Sequence, residues 1–506
     1  MYWLRRFTIL LAFMLLISFG AWLVPRVLDP TTKGPEKRAR DRRWVDSSPY
    51  FLDRQACRWI GLCGLHHLRR DPASRGNTDD EDAEWGELKR RSLAWEPEEI
   101  PRQDPKRNVH HRRRILRDVP DYVMKHAPLV HLYSGEEFWP SDIREHVEHM
   151  TVYVDEEPLN STEKWTLHNL HELNNIPGKV ILRSNDDVEE RPNWLHSHYN
   201  IPNPFPDEEE GDGDHNTPTT NPEKRPELRE PTTWYDVDKS HPVHRITDPR
   251  NRKFQNRRRS EPQRLRSRGH KPDTDGYSSA PAVLVVVDKG SGIVDAFWFF
   301  FYSYNLGQTV LNVRFGNHVG DWEHCMVRFE NGIPRGVFFS EHEGGQAYAF
   351  EAVEKRGERP VIYSAVGSHA MYALPGIHAY ILPFKLLKDV TDKGPLWDPA
   401  LNNYAYHYDY TKEPKDEEDI DDLREPQSLV PAASNPHAPT SWFHFRGRWG
   451  DEVYSLADPR QWRFFGQYHY VTGPDGPRFK NLDRGKMCQT RKCRILYMLD
   501  PKGTWY

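Results

Sequence analysis

Between Ala282 and Ser364 the chain alternates apolar runs with short polar breaks. Ala282–Val287 is apolar throughout, and Ile293–Tyr304 is a long aromatic run (Phe297-Trp-Phe-Phe-Phe-Tyr-Ser-Tyr304). Val319–Phe329, Arg335–His342, Gln346–Val353 and Pro360–Ser364 follow, separated by Gly, Asn and Pro. Short strands at this spacing predict an antiparallel β-rich domain, sandwich or barrel-like. Asn331-Gly332 reads as a hairpin turn. Period-two alternation then puts Asp321, Glu323, Cys325, Val327 and Phe329 on one face, and Trp322, His324, Met326 and Arg328 on the other. An even-numbered turn brings Asp321 or Glu323 level with His342, at the open end of the hairpin. Upstream, Ala127-Pro-Leu-Val-His-Leu132 reads as a short strand, and Pro140-Ser-Asp142 offers a cap for a helix running to Met150. The predicted class is mainly β with a few helices.

Polar patterning sets the remaining boundaries. Residues 27–120 are charged, with Trp44, Trp59, Trp85 and Trp95 scattered and no sustained period, which predicts a weakly ordered stalk. The β-rich body spans 121–480. Two insertions interrupt it, about 203–232 and 245–280, carrying the acidic run Asp207–Asp214 and the basic run Arg245–Lys271. Such segments bury too little apolar area to offset chain entropy, so both are expected to be disordered. Asp416–Asp422 is a third charge run, and residues 481–506 form a Cys-containing tail. Hydrophobic residues make up only 37%, yet Trp (17), Tyr (23) and Phe (22) are plentiful. An aromatic core diluted by polar insertions fits that mixture. The net charge of −5 over 506 residues argues against a dedicated nucleic-acid binder.

The first 26 residues carry the targeting signal. Arg5-Arg6 precede an uncharged run, Phe7–Val24, long enough for a thin bilayer and ended by Pro25-Arg26. Trp22, Leu23 and Val24 stand where a cleavage site needs small residues, so the run reads as an uncleaved signal anchor, with a cleaved peptide as the other reading. Charge counting favours a cytosolic body, since Arg26, Lys33, Lys37, Arg38, Arg40, Arg42 and Arg43 follow the run. Two features favour a lumenal body instead. Asn160-Ser-Thr162 is a glycosylation sequon. Cys57 and Cys63, and Cys488 and Cys493, form two close pairs suited to disulfides, leaving Cys325 alone in an apolar strand. The expectation is a single-pass protein of the secretory pathway or vacuole, held in the membrane by residues 7–24, with a lumenal body.

The densest candidate chemistry lies in Gly316–His378. It comprises Gly316-Asn-His-Val-Gly-Asp-Trp-Glu-His324, Phe339-Ser-Glu-His-Glu-Gly-Gly345, Tyr363-Ser-Ala-Val-Gly-Ser-His-Ala370 and Pro375-Gly-Ile-His378. Ionisable groups among residues that want burial cost free energy unless paired. Three functional readings fit. His318, Asp321, Glu323, His324 and His342 could ligate a divalent metal such as zinc, manganese or iron. Asp321, Glu323, His342 and His369 could do metal-free acid–base work. Ser368 or Ser340 beside a histidine and a carboxylate could be a nucleophile, although no Gly-x-Ser-x-Gly elbow is present. The structural alternative is a buried polar network tying strands together.

Gly320-Asp-Trp-Glu-His324, Phe339-Ser-Glu-His-Glu-Gly-Gly345, Val361-Ile-Tyr-Ser364 and Gly367-Ser-His-Ala370 resemble the hallmark motifs of the vacuolar protein sorting-associated protein 62 family of fungi and plants. The Ala127–Leu132 and Pro140–Asp142 stretches resemble the start of that family. Phe445-Arg-Gly-Arg-Trp-Gly-Asp451 and Gly473-Pro-Asp-Gly-Pro477 resemble its end. The resemblance covers roughly Tyr122–Pro477 and implies a fungal protein linked to delivery of proteins to the vacuole, with cargo or sorting machinery as partners. It transfers no catalytic residue. A non-catalytic sorting factor is therefore the expected function, and a hydrolase-like or metal-dependent enzyme built on Gly316–His378 is the alternative.

Overall fold

The computed structural model describes residues 2–28, 34–68, 117–197, 270–342, 344–379, 388–413, 426–490 and 493–499. Most of the two insertions, the Asp416–Asp422 run, Trp85 and Trp95 lie outside these residues.

One large mixed sheet organises the body. Its eight strands, numbered in chain order, are β1 (Ala282–Gly290), β2 (Ile293–Asn305), β3 (His318–Glu330), β4 (Ile333–Glu341), β5 (Gly344–Ala349), β6 (Asn403–Tyr408), β7 (Leu429–Pro431) and β8 (Ile495–Leu496). They lie in the order β7-β6-β1-β2-β3-β4-β5-β8. Among the described residues its edge strands β7 and β8 do not pair with each other, so the sheet is open rather than a closed barrel. The central meander β1 to β5 is antiparallel, as its short turns require. The long connections from β1 to β6 and from β5 to β8 instead give parallel pairs, so the expectation of a purely antiparallel sheet is corrected. Residues 481–506 are likewise more than a tail, because they supply the edge strand β8.

Both faces of this sheet are covered, which explains why β1 and β2 read as unbroken apolar runs. Phe297, Phe299, Phe301, Trp322, Met326 and Phe338 face one core, packed against Trp442, Phe443, Phe445 and Trp449. Trp298, Phe300, Tyr302, Cys325, Val327 and Phe339 face the other. That second core is closed by a smaller sheet, in which Arg359–Ser364 pairs parallel with Leu129–His131 and antiparallel with Met371–Tyr372. Trp298, Trp322, Trp442 and Trp449 are all fully buried, and truncating any one to Ala should cost about 3–5 kcal/mol.

Local signals read from the sequence recur here. Asn331 and Gly332 both have positive φ, 51° and 78°, and turn the β3–β4 hairpin. Asp142 caps the helix Ile143–Glu148 by accepting from Arg144 N at 2.8 Å; Met150 already opens the next strand, Met150–Val154. Two expected boundaries shift. Part of the stalk docks onto the body: helices Pro35–Asp46 and Phe51–Ile60 lead into Leu62–Cys63, which pairs with Arg463–Phe464. Trp44 Nε1 donates to the Tyr454 carbonyl at 2.8 Å, which helps fix that contact. The second insertion ends earlier than residue 280, since Ser278 and Ala280 are fully buried. Cys57 is bonded to Cys63 and Cys488 to Cys493, while Cys325 is buried and free.

Near the N-terminus, Tyr2–Leu28 is a helix whose apolar side chains from Phe7 to Phe19 are exposed. Among the described residues no helix is long and apolar enough to cross a membrane.

Candidate functional site

The Gly316–His378 residues converge where the start of β3 meets the loop after Ser364. Two glycines there let the backbone pack closely on neighbouring segments. Gly320 (φ 70°) would place a Cβ 2.1 Å from the Trp449 carbonyl oxygen, and Gly367 (φ 70°) would place one 2.4 Å from that of Leu306. Neither position tolerates a side chain without local movement.

Asp321 sits opposite Tyr302 in the β2–β3 ladder. Its carboxylate accepts from His369 Nδ1 at 2.9 Å, and the His369 ring stacks on Tyr302 with centroids 3.6 Å apart. On its other edge His369 Nε2 donates to the Phe138 carbonyl at 3.3 Å and lies 3.7 Å from Glu136 Oε1. Burial alone pushes His369 down, but the bonds and charges of Asp321 and Glu136 outweigh it and raise the imidazole to about 9. At neutral pH it is an imidazolium. Glu136 is itself held by the backbone N–H groups of Glu137, Phe138 and Gly367, at 2.8, 3.0 and 3.0 Å.

A second hub is Asp389, fully buried in the strand Lys388–Thr391, which pairs with Gly376–Ala379. It accepts from His342 Nε2 (2.7 Å), Ser368 Oγ (2.8 Å), Tyr372 OH (2.7 Å) and Gln308 Nε2 (2.9 Å). Against the cost of burial, the Asp389 bond and charge raise His342 above its ordinary value. Ser340 Oγ donates to Glu323 and accepts from the His324 N–H at 2.8 Å. Burial first, and the Asp321 charge second, push Glu323 up to about 8, so this carboxyl is mainly protonated at neutral pH.

The candidate residues therefore separate into distinct settings. Asp321 and His369 form one pair, Glu323 and Ser340 another, and His342 joins Ser368 on Asp389. His318, half-buried, is occupied by the Gly320 carbonyl at 2.6 Å. His324 lies on the opposite face of β3, stacked among Phe297, Phe299 and Phe338, and burial holds it neutral. It cannot share a metal with Asp321 and Glu323. The expected level pairing of Asp321 or Glu323 with His342 also needs correction. A bulge between Arg328 and Phe329 shifts the register, so that Cys325 pairs with Phe339 and the count back from there puts Glu341 beside Glu323.

The arrangement does not present a serine–histidine relay, because Ser368 donates to a carboxylate while His369 is spent on Asp321 and a carbonyl. Sequence reasoning missed Glu136, Tyr302, Gln308, Tyr372 and Asp389. None carries a local motif; each matters through a partner brought in by the fold.

Comparison with known proteins accords with these motifs. A family profile for vacuolar protein sorting-associated protein 62 matches residues 284–382, which hold the core meander and most of this network. A Saccharomyces cerevisiae protein named "Putative vacuolar protein sorting-associated protein TDA6" is 35% identical over 406 residues, covering 73% of this chain and 68% of its own length. Vacuolar protein sorting-associated protein 62 of the same yeast is 34% identical over 408 residues, covering 74% of this chain and 68% of that protein. Among solved structures, the Necrosis and Ethylene inducing Protein 2 of the causal agent of cocoa's Witches Broom disease overlays 19% of this chain and 45% of its own, at 18% identity and a TM-score of 0.15, too slight a likeness to transfer anything. The chain belongs to the vacuolar protein sorting-associated protein 62 family.

Proposed function

We propose that the protein is a non-catalytic factor in delivery of proteins to the vacuole, and that the Gly316–His378 cluster is a structural ionic network. One observation carries the second half: the hydroxyl of Ser368 donates to Asp389, not to a histidine, while His369 is already protonated between Asp321 and Glu136. A general base with a raised pKa near 9 is occupied at neutral pH, and a serine without a base is a weak nucleophile. The network instead joins four separated parts of the chain: the Glu136–Phe138 segment, β3, the 365–370 loop and Asp389. The sorting half rests on the names of the two yeast relatives.

The acid–base alternative has one favourable observation, the Glu323 carboxyl near neutrality, since perturbed groups gather at functional sites. Against it, Glu323 is only 6% exposed and is held by Ser340.

In this reading the exposed apolar helix near the N-terminus anchors the protein in a membrane, residues 7–24 forming the span. The body is lumenal, in the secretory pathway or vacuole, where the two disulfides persist. Its partners are vacuolar cargo or sorting machinery rather than nucleic acid. The test is expression of the chain in yeast lacking both relatives, reading the fraction of a vacuolar marker protein secreted into the medium. Restored retention supports the proposal; a chain that reaches the right membrane but changes nothing contradicts it.

A further inference from the structure

A second cluster lies away from this network. Glu145, in the short helix Ile143–Glu148, meets His196, at the end of the turn Asn193–Leu195, and His270. One carboxylate oxygen and two imidazole nitrogens all lie within 4.8 Å of one another. Glu145 Oε2 is 3.1 Å from His196 Nε2 and 3.5 Å from His270 Nε2. Tetrahedral zinc with bonds of about 2.0–2.1 Å sets its ligand atoms about 3.3 Å apart, which these separations straddle.

A simple hydrogen-bonded ion pair accounts for the cluster less well. His196 is fully buried and its Nδ1 has no hydrogen-bond partner, while its Nε2 and that of His270 both face the same Glu145 oxygen. Two buried imidazole nitrogens sharing one carboxylate oxygen leave at least one of them poorly satisfied, which is costly. A cation placed between the two Nε2 atoms and the carboxylate would relieve it. His270 is also oriented from behind, its Nδ1 meeting the Ser279 hydroxyl, the support that metal-bound histidines commonly have.

We propose that Glu145, His196 and His270 bind one divalent metal ion of the zinc type, with a fourth position left for water on the partly exposed Glu145 side. His196 stands just before residues 198–269 and His270 just after them. The ion would therefore hold together the two points of the body between which residues 198–269 run in the sequence. This site is independent of the proposed sorting role.

The test uses the purified full chain, stripped with chelator and titrated with zinc alone, with cobalt absorption as a second readout. The expected result is one equivalent bound. Glu145→Gln and His270→Ala should each weaken binding about 10- to 100-fold, and Glu323→Gln should leave it unchanged. His270→Gln serves where the alanine variant fails to fold. Absence of stoichiometric uptake by the native sequence overturns the proposal. So does uptake that survives Glu145→Gln and His270→Gln, or uptake lost in Glu323→Gln.

Discussion

Asp321 and His369 meet at 2.9 Å beneath the ring of Tyr302, joining the start of β3 to a loop 48 residues further along the chain. Both groups are almost wholly removed from water. A pair of this kind is costly to assemble and more costly to break, because removing one partner strands the other charge. Asp321→Asn should therefore lower unfolding stability by about 3–5 kcal/mol, measured by urea denaturation near pH 7.

The same pair predicts a pH dependence. His369 is raised in the folded state to about 9 from an ordinary 6.5, so its contribution is complete below pH 6.5 and is lost as pH rises through 9. That contribution is on the order of 3 kcal/mol. Stability of the native sequence should fall across this window, and Asp321→Asn should flatten that part of the profile. An unchanged slope in the variant would assign the dependence to another group.

Glu323 tilts the profile the same way, as a growing penalty rather than a fading contribution. Its carboxyl is raised from 4.5 to about 8, so as pH climbs through that interval the unfolded chain ionises while the folded one resists. Holding Glu323 neutral costs stability at pH 7–8 and nothing below pH 4. Glu323→Gln should thus match the native sequence at pH 4 and exceed it at pH 8, by about 1–3 kcal/mol once relaxation of the site is allowed for. Denaturation midpoints at the two pH values check this.

Much of this architecture was legible in the sequence and part of it was not. The meander strands announce themselves through apolar runs and the Asn331-Gly332 turn, and those signals are local. The bulge after Arg328 leaves no such mark, and it alone displaced His342 from the expected pairing. Glu136 and Gly367 meet across 231 residues, so no pattern around either predicts the bond. His196 and His270 escaped notice for the same reason, with a long insertion between two rings whose centroids lie 4.0 Å apart.

That proximity makes the insertion removable. Replacing residues 203–264 by a linker of about 6 residues, keeping His196 and His270, should leave the melting temperature within about 2 °C. A larger drop would show that the deleted segment contributes to the packed body.

Topology is checked at Asn160, which is exposed beyond the Glu157–Pro158 strand. With a lumenal body, endoglycosidase should shift the native protein on a gel, and Asn160→Gln should abolish the shift. An unshifted protein open to cytosolic protease would place the body on the other side of the membrane.

The structural reading of the cluster is tested most directly by vacuolar marker retention in cells carrying Glu323→Gln, normalised to the amount of folded protein in the correct membrane. A scaffold network predicts retention equal to that of the native sequence, because shape and most hydrogen bonds survive the change. Loss of retention by a variant that is folded and correctly placed would contradict it, and would identify the cluster as a working site.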